Sequence, residues 1–102
     1  MPVYNSKTLS NKKMILLCNY KNKKSVNDVI NGLLKCQGQL NMKTQDIEPF
    51  EVPLPNDKYL EKRMFEVLGQ YDPADIFVIV MINYDNDYHP YKLVLSKLAI
   101  SS

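Results

Sequence analysis

Ile76-Phe77-Val78-Ile79-Val80-Met81-Ile82 is the stretch on which the fold turns. Seven apolar residues run on without a polar interruption, and most of them are β-branched. That pattern predicts a central strand of a parallel sheet, buried on both faces. Asp72-Pro73-Ala74-Asp75, just before it, reads as a turn. After it, residues 83–90 form a polar, tyrosine-rich loop, and a third helix is expected from about Pro90 onward.

Working back toward the N-terminus, Pro53 and Pro55 punctuate the chain, and Asn56 or Asp57 is placed to cap a helix over residues 58–71. Leu60, Met64, Val67, Leu68 and Tyr71 fall on one stripe of that helix. Residues 47–52 give a second strand. Pro49 cannot donate a ladder hydrogen bond, so the strand is expected at an edge or irregular. Met14-Ile15-Leu16-Leu17-Cys18 is a shorter continuous apolar run and reads as the first strand. A basic loop over residues 19–24 leads to Ser25 as expected N-cap, with Asp28 in the first turn. Val26, Val29, Ile30, Leu33 and Leu34 keep helical spacing, and Gly38 is the expected stop. Residues 1–12 are polar and unpatterned and read as an N-terminal arm before a domain over 13–102.

The order β-α-β-α-β-α predicts an α/β domain of Rossmann-like, three-layer build: a small parallel sheet with helices on its faces. The chain stops at Ser101-Ser102 just after a helix, so a final strand is expected to be missing, as in a piece of a longer protein. Ligands of such sheets sit beyond the carboxyl ends of the strands. Here those places are the loops 19–24 and 83–90.

At 102 residues the chain makes one domain, and 45% hydrophobic with 24% charged residues is globular composition. No apolar run is long enough to span a bilayer, and Met1-Pro2-Val3-Tyr4-Asn5 lacks a signal-peptide core, which predicts a cytoplasmic or nuclear protein without a membrane partner. Cys18 and Cys36 with the single His89 make neither a disulfide framework nor a zinc pattern, and no metal site is expected. The net charge of +2 hides an asymmetry. Residues 1–43 carry eight lysines against one acid, whereas residues 44–102 carry five basic groups against ten acids. A basic face from the first third of the chain is a phosphate-binding surface in one reading and a solvated one in the other.

Two loops carry candidate chemistry. Cys18 followed by Asn19-Tyr20-Lys21-Asn22-Lys23-Lys24-Ser25 reads C-x5-K-S between a strand and a helix, the place of the phosphate loop in cysteine phosphatases and phosphocysteine carriers. That chemistry needs a bidentate arginine and glycines or serines that let backbone N–H groups close on the phosphate; here lysine replaces the arginine and the loop has no glycine. The three glycines (Gly32, Gly38, Gly69) follow no strand directly, so no glycine-rich nucleotide loop exists. Across the second loop and third helix, Tyr88, Lys92 and Ser96 form a row four residues apart, which sets a ring and an ammonium together at a helix N-terminus if the first turn begins at Asp87 or Tyr88. Tyr91, Val94, Leu95 and Leu98 follow core spacing.

The whole pattern resembles the Mid domain of Argonaute and Piwi proteins. The resemblance covers residues 13–102, through Met14–Cys18, Val29-Ile30 with Leu33-Leu34, Asp75–Ile82, and Tyr91-Lys92-Leu93-Val94-Leu95-Ser96-Lys97-Leu98. It implies a non-catalytic, RNA-binding module of small-RNA-mediated gene silencing. Such a module anchors the 5′-phosphorylated end of a guide RNA and works with the remaining domains of its parent chain, where any nuclease activity resides. Tyr88 and Lys92 match the family's stacking tyrosine and phosphate lysine, with Tyr91 as the competing tyrosine and Lys97 as the substitute cation. Asn83, Tyr84, Asp85, Asn86 and Asp87 correspond to the segment that reads the first base, and Lys21, Lys23 and Lys24 form an accessory basic loop. The family's glutamine and second lysine would fall beyond Ser102. Asp85 and Asp87 bring negative charge to the phosphate site, where a divalent cation is the one cofactor the resemblance leaves room for. The alternatives are a phosphoryl carrier or phosphatase using Cys18, and a Rossmann-like protein-interaction domain.

Overall fold

The computed structural model describes residues 13–36 and 47–100. The expected arm over 1–12 and the stop at Gly38 lie outside the described residues. Three parallel strands, β1 (Lys13–Cys18), β2 (Ile47–Glu51) and β3 (Ile76–Val80), form a sheet in the order β2-β1-β3. Three helices alternate with them: α1 (Val26–Lys35), α2 (Leu60–Leu68) and α3 (Tyr88–Lys97). The α/β layered build expected from the alternation is present.

The strand order determines the layers. The β1-to-β2 connection steps one way along the sheet and the β2-to-β3 connection steps back across β1. With right-handed crossovers these two connections must lie on opposite faces. Accordingly α1 covers one face, where Ile30, Leu33 and Leu34 pack on Met14, Ile47, Phe77 and Ile79. On the other face α2 and α3 share the larger core: Leu60, Met64, Val67 and Leu68 from α2, and Tyr91, Val94 and Leu95 from α3, meet Ile15, Leu17, Ile76 and Val78. Successive residues of β1 thus alternate between two cores, and all five from Met14 to Cys18 are buried.

β1, not β3, is the central strand. The seven-residue apolar run predicted the reverse, but the β3 ladder ends at Val80 and has a partner on one side only among the described residues. Its side chains still need to be apolar because helices cover both faces. Pro49 sits opposite Leu16 in the edge strand β2, as its missing N–H requires. Beyond the strands, Val52 N–H donates to the Cys18 carbonyl at 2.7 Å and Met81 N–H to the Leu17 carbonyl at 2.8 Å. These two bonds fix where the carboxyl-end loops leave the sheet.

The helix entries differ from expectation. Ser25 occupies the cap position of α1 but its side chain makes no cap bond, because the chain enters through a 3-10 turn over Lys23–Ser25. Asp57 Oδ1 accepts from the Tyr59 N–H at 2.8 Å, so it closes the turn before α2, whose own cap position is Tyr59. Helix α3 begins at Tyr88, two residues earlier than expected. Pro90 falls in its first turn, where the lost N–H has no intrahelical partner in any case.

The end of α3 is a Schellman motif. Ala99 N–H donates to the Ser96 carbonyl at 3.1 Å and Ile100 N–H to the Leu95 carbonyl at 3.0 Å, while Ile100 returns into the core. Ala99 takes φ 58 there, a left-handed conformation that suits glycine. Replacing Ala99 with glycine is therefore expected to raise stability by about 1 kcal/mol, and Leu17→Ala, in the central strand, to lower it by about 2–5 kcal/mol. Urea denaturation checks both; a loss on Ala99→Gly contradicts the first.

Candidate functional site

In a sheet of order β2-β1-β3 the connections diverge at the carboxyl ends of β1 and β3, and the crevice between them is the place for a ligand. Here that crevice is closed by asparagines. Asn19, the residue after β1, is 0% exposed. Its Oδ1 accepts from Lys21 N–H at 2.9 Å and from Asn83 Nδ2 at 3.2 Å, and its backbone N–H donates to Asn22 Oδ1 at 2.8 Å. Asn22 Nδ2 in turn donates to the Met81 carbonyl at 2.9 Å. Two longer contacts complete the set: Asn19 Nδ2 to the Tyr91 hydroxyl at 3.5 Å, and the Tyr91 hydroxyl to the Pro53 carbonyl at 3.4 Å. The loops after all three strands are thereby tied to one amide.

Over this knot lies a cleft of about 320 Å³. Lys21 comes from the loop after β1, Leu54 and Pro55 from the segment after β2, Asn83, Tyr84 and Asn86 from the β3–α3 connection, and Pro90 from the first turn of α3. That connection is a 3-10 turn over Asp85–Asp87. It is held by Asp87 N–H donating to the Tyr84 carbonyl at 3.0 Å and by Tyr84 N–H donating to Asp87 Oδ2 at 3.2 Å. Asp87 also lines the cleft, so its carboxylate is committed to the loop's own backbone.

The expected site residues distribute unevenly around this cleft. Asn83, Tyr84, Asn86, Asp87 and Lys21 line it, and Asp85 is exposed in the same turn. Tyr91 does not: its ring is enclosed in the core, and burial pushes its hydroxyl pKa up, so it has no face to offer a base. Lys97 belongs to the last turn of α3, where it pairs with Glu61 in the first turn of α2. Tyr88 is half-buried and Lys92 exposed, and neither lines the cleft. In the basic loop Lys23 pairs with Glu51 at 3.6 Å and Lys24 is exposed. Among the described residues no group of three or more His, Cys, Asp and Glu side chains is placed to hold a metal ion. No helix there is long and apolar enough to cross a membrane.

Cys18 has the opposite of the electrostatics a nucleophile needs. Its thiol is buried and its Sγ donates to the Phe50 carbonyl at 3.5 Å. Burial, and then the nearby Glu51 carboxylate, push its pKa up, outweighing Lys23.

Spacing alone missed two aromatic residues. Tyr20, Tyr59 and Tyr84 are 59%, 56% and 65% exposed. They belong to the segments that follow β1, β2 and β3, so each carboxyl-end connection presents one open ring. A tyrosine directly after each apolar run or before each helix was the available signal. Comparison with family models, curated proteins and solved structures found no match.

Cys18, Tyr71 and Tyr91 all hold their protons more tightly in the folded chain, chiefly through burial. Stability from these groups is full below the ordinary thiol and phenol values of 9.0 and 10.0 and falls as pH rises past them. The urea midpoint is expected to drop from about pH 8 to about pH 11, and Tyr91→Phe to make the drop shallower. An unchanged slope in that variant contradicts the assignment.

Proposed function

We propose that this domain is a non-catalytic module that grips the 5′-phosphorylated end of a single-stranded RNA, in the manner of the Argonaute and Piwi Mid domains that its sequence resembles. The observation that carries the reading is the cleft at the divergence of β1 and β3, where one ammonium, three side-chain amides and one open aromatic ring converge. Lys21 supplies the charge for a terminal phosphate. Asn83 and Asn86 offer both donors and acceptors, the equipment needed to read a base edge. The Tyr84 ring is free to stack on the base, and a stacked base contributes about 1–3 kcal/mol.

In this reading the stack falls to Tyr84, in the turn before α3, and the cation to Lys21, from the loop after β1, rather than to the Tyr88–Lys92 row. Asp85 and Asp87 oppose an anion, which makes the single-nucleotide grip weak and strongly dependent on Lys21. The raised pKa of Cys18 argues against the phosphocysteine alternative.

Titration with adenosine and uridine 5′-monophosphates, followed by amide chemical shifts, tests the reading. Shifts are expected at Lys21, Asn83, Tyr84 and Asn86, with smaller ones for the unphosphorylated nucleosides. Tyr84→Ala and Lys21→Ala are each expected to weaken binding about tenfold. No perturbation of these residues at millimolar nucleotide overturns the proposal.

A further inference from the structure

A second cleft, of about 500 Å³, opens beside the first. The two adjoin along two chain segments: Tyr20 and Pro53 line the second cleft, while their neighbours Lys21 and Leu54 line the first. Its apolar lining is Val52, which is buried, and Pro53; the exposed Tyr20 and Tyr59 rings line it as well. Apolar lining with two open aromatic rings is the shape requirement for a flat ring.

The charges around it select the sign of the ligand. Both carboxylates that line the cleft are already paired, Glu51 with Lys23 at 3.6 Å and Glu66 with Arg63 at 3.7 Å. Arg63 Nε also donates to the Glu51 carbonyl at 3.2 Å, which fixes its guanidinium. Lys62 lines the cleft and makes no ion pair among the described residues. Lys58 Nζ stands 5.1 Å from the centroid of the Tyr59 ring. Lys62 and Arg63 balance the two lining carboxylates, and Lys23 and Lys58 beside them tip the surroundings positive.

We propose that the second cleft holds the nucleotide following the 5′-terminal one, its base stacked between Tyr20 and Tyr59 and its phosphate on Lys62. The strand then passes over Tyr20–Lys21 and Pro53–Leu54, and the two clefts form one binding track for single-stranded RNA. The direction of the strand rests on the 5′-end reading above; the second cleft as a nucleotide site does not. Stacking on rings that any base satisfies makes this station tolerant of sequence.

The test uses the whole chain, a 5′-phosphorylated tetraribonucleotide with a 3′ fluorophore followed by anisotropy, and uridine 5′-monophosphate followed by chemical shifts. The tetranucleotide is expected to bind at least about tenfold more tightly than the mononucleotide. The double variant Tyr59→Ala with Lys62→Ala removes that gain and leaves mononucleotide affinity unchanged. Both residues are exposed, and circular dichroism confirms that the variant is folded. A tetranucleotide that binds no better than the mononucleotide, or equally well to the double variant, overturns the second cleft. Tetranucleotide binding that depends on Tyr59 and Lys62 without any mononucleotide binding supports the second cleft and overturns the 5′-end reading alone.

Discussion

A single buried amide organises the end of the molecule where a ligand can sit. Asn19 follows directly on the central strand and is closed off from water, so its polar atoms must be paired within the protein or cost free energy. It uses them to hold Lys21 and Asn83 on its oxygen and Asn22 on its backbone. Leaving one such group unpaired costs about 1–3 kcal/mol, which is a large part of what a small domain has to spare. The three carboxyl-end connections are therefore not independent loops. Their relative positions, and those of Tyr20 and Tyr84, follow from the ends of β1 and β3 and from one side chain between them.

The strands and helices were legible because burial imposes periodicity. Ile15 and Leu17 go to one core and Met14 goes to the other, and an unbroken apolar run is the sequence trace of that alternation. The same trace misplaced β3. A run of apolar residues reports that both faces of a strand are covered, and it says nothing of how many neighbours its hydrogen bonds find. The edge position of β2, by contrast, was legible from Pro49, since an imide nitrogen bears directly on the ladder.

The site was legible only in outline. Helical spacing brought Tyr88 and Lys92 forward, because four-residue rows are what a helix makes conspicuous. The cleft instead uses the turn before the helix and residues from three separate segments, and no spacing along the chain records which segments meet. Asn19 was equally invisible. An asparagine after a strand reads as ordinary loop chemistry until the fold brings Asn83 beside it.

Charge followed a similar course. The lysine-rich first third and the acid-rich remainder suggested a separate basic face, yet Lys13 pairs with Glu48 at 2.8 Å and Lys23 with Glu51 at 3.6 Å. Both pairs join β1 or its loop to β2, so part of the asymmetry is spent inside the domain. Such exposed pairs contribute about 0–1 kcal/mol each. The lysines at the two clefts come from both parts of the chain: Lys21 from the first third at one cleft, and Lys62, with Lys58 near it, from the remainder at the other. A surface of that kind cannot grip one anion hard, since each cation acts alone and is screened by salt. Under the proposed function it would suit a ligand that meets several of them in sequence, each nucleotide adding one phosphate contact and one ring. On the proposed RNA reading, Tyr84, Tyr20 and Tyr59 around the end of the sheet would set affinity together rather than singly.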